Sequence, residues 1–173
     1  NEPFMVYSGR LASMKNLLQL FEFFIRYKRE YPGPLKLVLL GKGDLRVPNH
    51  PDIVPLGFFR GQEKWDAYSA ASILCQPSLL ESFSIVIMES WLSGIPVLVH
   101  GDCDVTRYHV LESNGGLYFS TYDEFAGALH WLLTHPDERR AMGALGRAYV
   151  REEYNWTNVL ERFRGALEAW ETL

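Results

Sequence analysis

Two glutamates in this sequence, Glu81 and Glu89, have a spacing suited to holding a ligand rich in hydroxyl groups. Glu81 lies in a loop after a predicted strand, and Glu89 directly follows four apolar residues of a helix predicted to begin near Ser84. Five residues at ~1.5 Å each place Glu89 about 7.5 Å along the helix axis from Ser84. Carboxylates accept paired hydrogen bonds, so the two side chains could hold different parts of one elongated ligand. In the alternative, Glu81 favours the helix dipole and Glu89 pairs with a cation, but burying Glu89 without partners is costly, which favours binding.

A basic loop, residues 8–15, precedes another predicted helix and contains Gly9, Arg10 and Lys15. Two cations beside a helix N-terminus suit a diphosphate, because side-chain charge and free backbone N–H groups then point at the same anion. In the alternative interpretation, Arg10 caps a carbonyl group and Lys15 is a solvated surface residue. Taken alone, the loop favours this alternative.

Other loops carry weaker signals. Gly41 and Gly43 follow an apolar strand, where glycines permit either close backbone approach to a ligand or a tight turn. Their spacing matches neither a Walker loop nor a dinucleotide-binding fingerprint. The segment 100–106 mixes metal-ligand types without a second cluster, so it is predicted to be an ordinary polar loop. The serines at 78, 82 and 84 lack the Gly-x-Ser-x-Gly elbow of a hydrolase nucleophile.

The composition excludes several classes of protein. The chain has 173 residues, 47% of them apolar, and a formal net charge of -4, so no overall positive field favours nucleic acid binding. Cys75 and Cys103 are predicted to be reduced thiols in a cytoplasmic protein. No apolar run approaches the ~20 residues that span a bilayer. Residues 1–3 lack the character of a signal peptide and are typical of a cut linker, so we expect a piece of a longer protein.

Strand and helix patterns alternate along the chain and predict one α/β domain over residues 1–173. The predicted strands are residues 4–7, 35–40, 53–56, 73–76, 97–99 and 117–119. The predicted helices are residues 14–30, 62–71 and 84–92, followed by three closing helices marked by apolar residues within 125–133, 142–149 and 156–170. Short loops between such elements predict a doubly wound, mostly parallel Rossmann-like sheet with helices on both faces. Ligands bind beyond the carboxyl ends of the strands in such sheets.

Taken in order, the loop motifs resemble the C-terminal, donor-binding domain of glycosyltransferase family 4, which is one half of a GT-B fold. The resemblance covers essentially the whole chain and is specific only because the motifs occur together at the family's spacing. They are Gly9-Arg10-Leu11 with Lys15, Gly41-Lys42-Gly43, Leu56-Gly57-Phe58, Pro77-Ser78, Glu81 and Glu89 of the Glu-x7-Glu signature with Phe83 between them, and Gly94-Ile95-Pro96-Val97.

The resemblance implies a role for each matching position. Arg10 and Lys15 would bind the donor diphosphate and, with Glu81, form the catalytic set, Glu81 binding the hydroxyls of the transferred sugar and Glu89 the ribose. The donor-binding residues that it implies are Gly9, Arg10, Lys15, Gly41, Gly43, Phe59, Ser78, Glu81, Ser82, Phe83, Ser84, Ile85, Val86 and Glu89. Transfer in this family is expected to retain the anomeric configuration, with no metal ion and no other cofactor. The basic pair and the helix end would offset the charge that builds on the leaving diphosphate.

Three departures from the family pattern matter. Ser82-Phe83-Ser84 replaces the usual Gly-Phe-Gly, and serine resists positive φ, so the loop is expected to sit differently. Trp91, in place of a smaller residue, is expected to pack against the sheet. The N-terminal, acceptor-binding domain is absent, and the closing helix resembles the one that packs toward it, so part of its apolar stripe is expected to be exposed.

The resemblance implies the donor-binding half of a hexosyltransferase-type glycosyltransferase, inactive in transfer on its own. The donor would be a UDP-, GDP- or ADP-sugar and the acceptor a glycan, a lipid or a small molecule. The alternatives are a non-catalytic nucleotide-sugar-binding module and a GT-B nucleotide-sugar epimerase. The expected partner is the absent N-terminal domain, through which a cytoplasmic protein would make any peripheral membrane contact. The sequence gives neither the sugar, the base nor the acceptor.

Overall fold

The fold is a six-stranded, all-parallel sheet with helices on both faces, seen in a computed structural model that describes residues 2–171. The strands are β1 (Phe4–Ser8), β2 (Lys36–Leu40), β3 (Ile53–Gly57), β4 (Ile73–Gln76), β5 (Val97–His100) and β6 (Gly116–Phe119). Their order in the sheet is β3-β2-β1-β4-β5-β6. The helices are α1 (Leu17–Glu30), α2 (Gly61–Ala70), α3 (Ile85–Leu92), α4 (Asp104–Ser113), α5 (Tyr122–Thr134), α6 (Pro136–Glu153) and α7 (Trp156–Glu171). The predicted doubly wound, Rossmann-like sheet is confirmed.

Two hydrophobic cores lie on opposite faces of the sheet. Met5 and Tyr7 of β1 point into the core beneath α1 and α5, while Val6 points into the core beneath α2, α3, α4 and α6. All three side chains are fully buried. Because both faces are covered, the central strands need apolar residues at every position, which is why they could be predicted as continuous apolar runs.

Helix α4 was not predicted and replaces part of the expected polar loop at 100–106. Its buried positions are Thr106, His109, Val110 and Ser113. This spacing is helical, but only Val110 is an aliphatic residue, so hydrophobic periodicity missed the helix. Asn114, in the left-handed region at φ 50°, ends it.

The helix predicted to start at residue 14 begins differently from the prediction. Residues Ser13–Lys15 form a 3-10 helix, and Asn16 then adopts a left-handed conformation with φ 56° before α1 starts at Leu17. Asparagine tolerates this region better than most residues. The break lets the Asn16 side chain reach the loop after β4.

The glycine turn after β2 fits closely against the loop after β1. A Cβ atom on Gly41 would lie 1.8 Å from the carbonyl oxygen of Gly9, and one on Gly43 would lie 2.0 Å from that of Leu11. The Leu11 amide donates to the carbonyl of Lys42 at 3.0 Å. The close approach that these two glycines permit is therefore to the neighbouring loop, and the two loops stay paired beyond the ends of their strands.

The closing helices differ in burial. Trp91 of α3 is fully buried in the second core, as expected, and its indole N–H donates to the carbonyl of Gly115 at 2.8 Å. Helix α7 contacts α6, but its apolar stripe is exposed, with Trp156 and Trp170 about three-quarters accessible. The expected exposure of this stripe is confirmed. Within residues 2–171, no helix is long and apolar enough to cross a membrane, and Cys75 and Cys103 are free, buried thiols.

Candidate functional site

The candidate site lies where the strand order reverses, between the adjacent strands β1 and β4. Successive crossovers run away from this point in opposite directions, which leaves a crevice at the carboxyl ends of the two strands. The loop after β1 carries Arg10 and Lys15, and the loop after β4 carries Glu81 and leads into α3. The topology thus brings together the two richest motifs of the sequence.

An ion pair joins these loops across the crevice. Lys15 Nζ donates to Glu81 Oε1 at 2.7 Å, and the two side chains are 26% and 11% exposed. Beside this pair, Asn16 Nδ2 donates to the carbonyl oxygen of Pro77 at 3.1 Å. Lys15 is therefore not a freely solvated surface residue, and Glu81 is held in place by a cation from the neighbouring loop.

The buried side chains of Gln76, Ser78 and Ser84 form a hydrogen-bond network that includes Glu81. Gln76 Nε2 lies 3.3 Å from Glu81 Oε1 and 3.4 Å from Ser84 Oγ, donating to both. Ser78 Oγ donates to Gln76 Oε1 at 3.4 Å. Gln76 was not predicted as a site residue, although a glutamine ending an otherwise apolar, buried strand was the available signal.

The N-terminus of α3 faces the same crevice without a side-chain cap. Ser84 precedes the helix in a left-handed conformation with φ 65°, and its side chain accepts no hydrogen bond from the first turn. The backbone N–H groups of Ile85 and Val86 have no partner within the helix, because the first turn of any α-helix lacks one. They could donate to an anion, which is the role that the sequence predicts for them.

Glu89 pairs with a cation that the sequence analysis did not identify. Lys64 Nζ, on α2, donates to Glu89 Oε2 at 2.5 Å and to Oε1 at 2.7 Å. The Tyr68 hydroxyl donates to Oε2 at 3.3 Å. Burial, reinforced by the Glu89 charge, raises the pKa of Tyr68, so this phenol stays protonated and can donate. The alternative in which Glu89 pairs with a nearby cation describes the structure, and Glu89 remains 19% exposed.

Arg10 stands at the exposed rim of the loop after β1. Its carbonyl oxygen accepts from the Tyr7 hydroxyl at 2.9 Å, which fixes the loop backbone. Among residues 2–171, no hydrogen bond or ion pair joins the Arg10 guanidinium to Glu81 or Glu89. The structure thus brings Lys15 into direct contact with a predicted carboxylate and leaves Arg10 beside it, facing solvent.

The remaining predicted donor-binding residues do not all line this crevice. Ser82 is exposed and lines an open cavity of about 500 Å³ together with Lys15, Leu80 and Glu81. Phe83 is half-buried behind the loop, and Phe59 is half-buried against the second core. Gly9 has φ 153°, and a Cβ atom there would lie 2.9 Å from the Tyr7 hydroxyl.

The arrangement can bind an anion and hydroxyl groups at once. Carboxylates at 81 and 89 flank a helix N-terminus, and each is neutralised by its own lysine. Within the described part of the chain, no group of three or more His, Cys, Asp or Glu residues could hold a metal ion.

The sequence of residues 1–149 matches the family described as glycosyl transferases group 1. The chain belongs to this family. An uncharacterized glycosyltransferase of Methanocaldococcus jannaschii is 26% identical to this group 1 chain over 169 residues, which are 92% of the chain and 43% of that protein. The group 1 chain spans less than half the length of the curated relatives that it matches first.

Solved structures share the fold of this group 1 chain. Sucrose-phosphate synthase of Thermosynechococcus elongatus has a TM-score of 0.80 and 21% identity, with all of the chain and 47% of that protein covered. HepE of Anabaena in complex with UDP also has a TM-score of 0.80, with 16% identity and coverage of 97% and 49%. The fold of the group 1 chain thus corresponds to about half of each of these solved chains.

Proposed function

We propose that the chain is the donor-binding half of a glycosyltransferase that moves a sugar from a nucleoside diphosphate to an acceptor. Family membership supports this function, and so does HepE, a structural neighbour that binds UDP. The observation that carries the proposal is the Lys15–Glu81 contact beside the uncapped N-terminus of α3. It places a cation, a carboxylate and backbone amides at the carboxyl ends of two neighbouring strands. A phosphorylated sugar needs all three groups.

In the proposed complex, the diphosphate lies at the N-terminus of α3. The N–H groups of Ile85 and Val86 donate to phosphate oxygens, and Lys15 and Arg10 supply positive charge from the facing loop. Glu81 accepts hydrogen bonds from the hydroxyls of the transferred sugar, and Glu89 accepts them from the ribose. Glu89 can do so once Lys64 shares or releases one of its two oxygens.

The same groups would assist bond cleavage in a transfer that retains configuration. As the bond between the sugar and the diphosphate breaks, negative charge grows on the leaving oxygen. Preorganised cations and amides stabilise that charge without the reorganisation that water would need. We expect this stabilisation to come from Arg10, Lys15 and α3 with no metal ion or other cofactor, so that EDTA leaves transfer by the longer protein unchanged.

The partners follow from the proposed reaction. The donor is a UDP-, GDP- or ADP-sugar, and the acceptor is a glycan, a lipid or a small molecule bound by an N-terminal domain. The exposed stripe of α7, which includes Trp156, Phe163 and Trp170, offers a surface toward such a domain. Any peripheral membrane contact of the cytoplasmic protein would be made through that other half.

A titration of UDP, GDP and ADP against thermal stability tests the proposal on this chain. A ligand that binds only the folded state raises its stability by about 2.7 kcal/mol at a concentration of 100 Kd. We expect a rise in Tm with one of the three and a smaller rise with its nucleoside. No rise with any of them would contradict donor binding.

The longer protein, incubated with labelled nucleotide sugars, separates the alternatives. Transferase activity moves the label to an acceptor, whereas a GT-B epimerase alters the free donor. A non-catalytic module binds the donor without turnover.

A further inference from the structure

The Phe83 side chain links the candidate site to a separate part of the molecule. Phe83 lies between Glu81, which pairs with Lys15, and Ser84, which begins α3. Its ring turns away from the crevice and packs edge-on against His109 at 5.4 Å and against Tyr154 at 5.0 Å between centroids. The loop that presents the predicted sugar-binding carboxylate is therefore anchored from behind by one aromatic ring.

The two rings that receive Phe83 belong to a hydrogen-bonded triangle. His109 Nδ1 lies 3.0 Å from the Tyr149 hydroxyl and 3.5 Å from the Tyr154 hydroxyl, and the two hydroxyls lie 3.3 Å apart. His109 is only 4% exposed, and this burial lowers its pKa, which favours the neutral imidazole. The triangle joins α4 to the end of α6 and fixes the orientation of all three rings.

Tyr154 occupies a structural junction. It is the capping residue directly after α6, and α7 begins two residues later at Trp156. Tyr154 thus contacts the loop at the candidate site through Phe83 and is joined by a short connection to the exposed helix α7. A displacement of the α6–α7 junction would move the Tyr154 ring and with it the support of Phe83.

We propose that Tyr154, oriented by His109 and Tyr149, is a positioning residue that holds the loop of residues 81–84 in its binding conformation through Phe83. The loop needs such support, because Ser84 is held in the left-handed region, which side chains other than glycine disfavour. Edge-on aromatic contacts favour one loop conformation over the alternatives. The inference deepens the proposed function, since the loop that is positioned is the proposed donor site.

Hydrogen exchange tests the inference on this chain without any ligand. The Ile87 amide donates to the carbonyl of Ser84 at 3.1 Å, so its exchange reports on the loop and the start of α3. We expect Tyr154→Leu to accelerate exchange in the peptide covering residues 82–90 by about tenfold, the size of one lost ring contact. Tyr154→Phe keeps the ring but loses the hydroxyl contacts that orient it, so exchange should accelerate less than in Tyr154→Leu, by about threefold.

Tyr27→Leu is the matched control for general destabilisation. Tyr27 is buried on α1 and stacks on Tyr31 at 4.8 Å, in the core on the opposite face of the sheet. This variant should leave exchange at 82–90 unchanged. Unchanged exchange in Tyr154→Leu, or equal acceleration in Tyr27→Leu, would overturn the inference.

A binding measurement with UDP, GDP and ADP separates this inference from the proposed function. We expect Tyr154→Leu to lower the affinity for the nucleoside diphosphate that binds by about tenfold and Tyr154→Phe to lower it by about threefold. If the wild-type chain binds none of the three, the proposed function fails, and the exchange result alone decides the role of Tyr154. If the ligand binds and Tyr154→Leu changes neither its affinity nor the exchange, the function stands and the positioning role is wrong.

Discussion

Lys64 Nζ contacts both carboxylate oxygens of Glu89, at 2.5 and 2.7 Å, across the space between α2 and α3. The two side chains are 24% and 19% exposed, so their attraction is only partly screened by solvent. Together with the Lys15–Glu81 contact, this pair gives each of the two predicted binding carboxylates its own lysine. Both carboxylates are thereby held in place at the carboxyl ends of the strands.

Replacing Lys64 by methionine should lower the free energy of unfolding by about 1–2 kcal/mol. This size lies between an exposed ion pair, worth under about 1 kcal/mol, and a fully buried one, whose breaking costs about 3–5 kcal/mol. Urea denaturation of Lys64→Met, Glu89→Gln and the double variant measures the coupling. Lys36→Met is the control, because Asp52 keeps a second cation in Lys28. Additive effects of the two substitutions on the free energy of unfolding would show that the pair contributes nothing to stability.

Glu89→Ala should weaken a nucleoside diphosphate more than it weakens pyrophosphate. The proposed role of Glu89 is to accept hydrogen bonds from the ribose, and pyrophosphate has no ribose. Isothermal titration of both ligands against the wild type and the variant gives the two ratios. An equal loss for both ligands would remove Glu89 from the ribose and leave it a purely structural partner of Lys64.

Ser84→Gly should stabilise the protein. Ser84 is held at φ 65°, a region that costs a side-chain-bearing residue about 1–2 kcal/mol and glycine little. Loss of the 3.4 Å contact from Gln76 offsets part of the gain, so we expect a rise of about 0.5–1 kcal/mol in urea denaturation. Ser82→Gly is the control, since residue 82 does not have positive φ, and it should be neutral or destabilising. Stabilisation of both variants to the same extent would show that backbone strain at 84 is not the cause.

Stability should decrease as pH falls below about 6.5, because burial lowers the pKa of both His109 and His100. In this range the unfolded chain binds protons that the folded chain does not, so the free energy of unfolding drops with pH. The slope is at most about 1.4 kcal/mol per pH unit for each imidazole. Urea denaturation at pH 7.5 and 5.5 measures it, and His109→Gln should flatten the dependence. His130→Gln, which removes an exposed imidazole, is the control, and equal slopes in the wild type and His109→Gln would exclude His109 as the cause.

The sheet and most of its helices could be predicted because burial of both faces of the sheet requires apolar residues at regular positions in the sequence. Strands β2 and β4 are apolar except for Lys36 at the start of β2 and Gln76 at the end of β4, and turns containing proline or glycine separate them from their helices. Helix α4 lacks this apolar pattern. Its buried positions include Thr106, His109 and Ser113, which are polar and form hydrogen bonds with neighbouring groups. A helix whose buried positions are polar and hydrogen-bonded lacks the apolar spacing from which helices are predicted.

Site residues that lie on the loops after strands could be predicted from the sequence. Contacts between residues of separate helices could not. Glu81 and Lys15 each precede a helix on a strand-end loop, and the topology brings such loops together. Lys64 reaches Glu89 only through the packing of α2 beside α3, which no spacing in the sequence reveals. Likewise, Gly41 and Gly43 signal that a side chain would not fit, but not that the neighbour is the loop after β1.

We propose that Arg10 and Lys15 bind the diphosphate of a nucleotide sugar at the N-terminus of α3. The most direct test is isothermal titration of UDP, GDP and ADP against the wild type, the variant with both Arg10→Ala and Lys15→Ala, and Lys36→Ala. We predict that one ligand binds the wild type and Lys36→Ala with equal affinity, more weakly as salt rises, and does not bind the double variant. Equal affinity of that ligand for the wild type and the double variant would show that neither side chain binds the diphosphate.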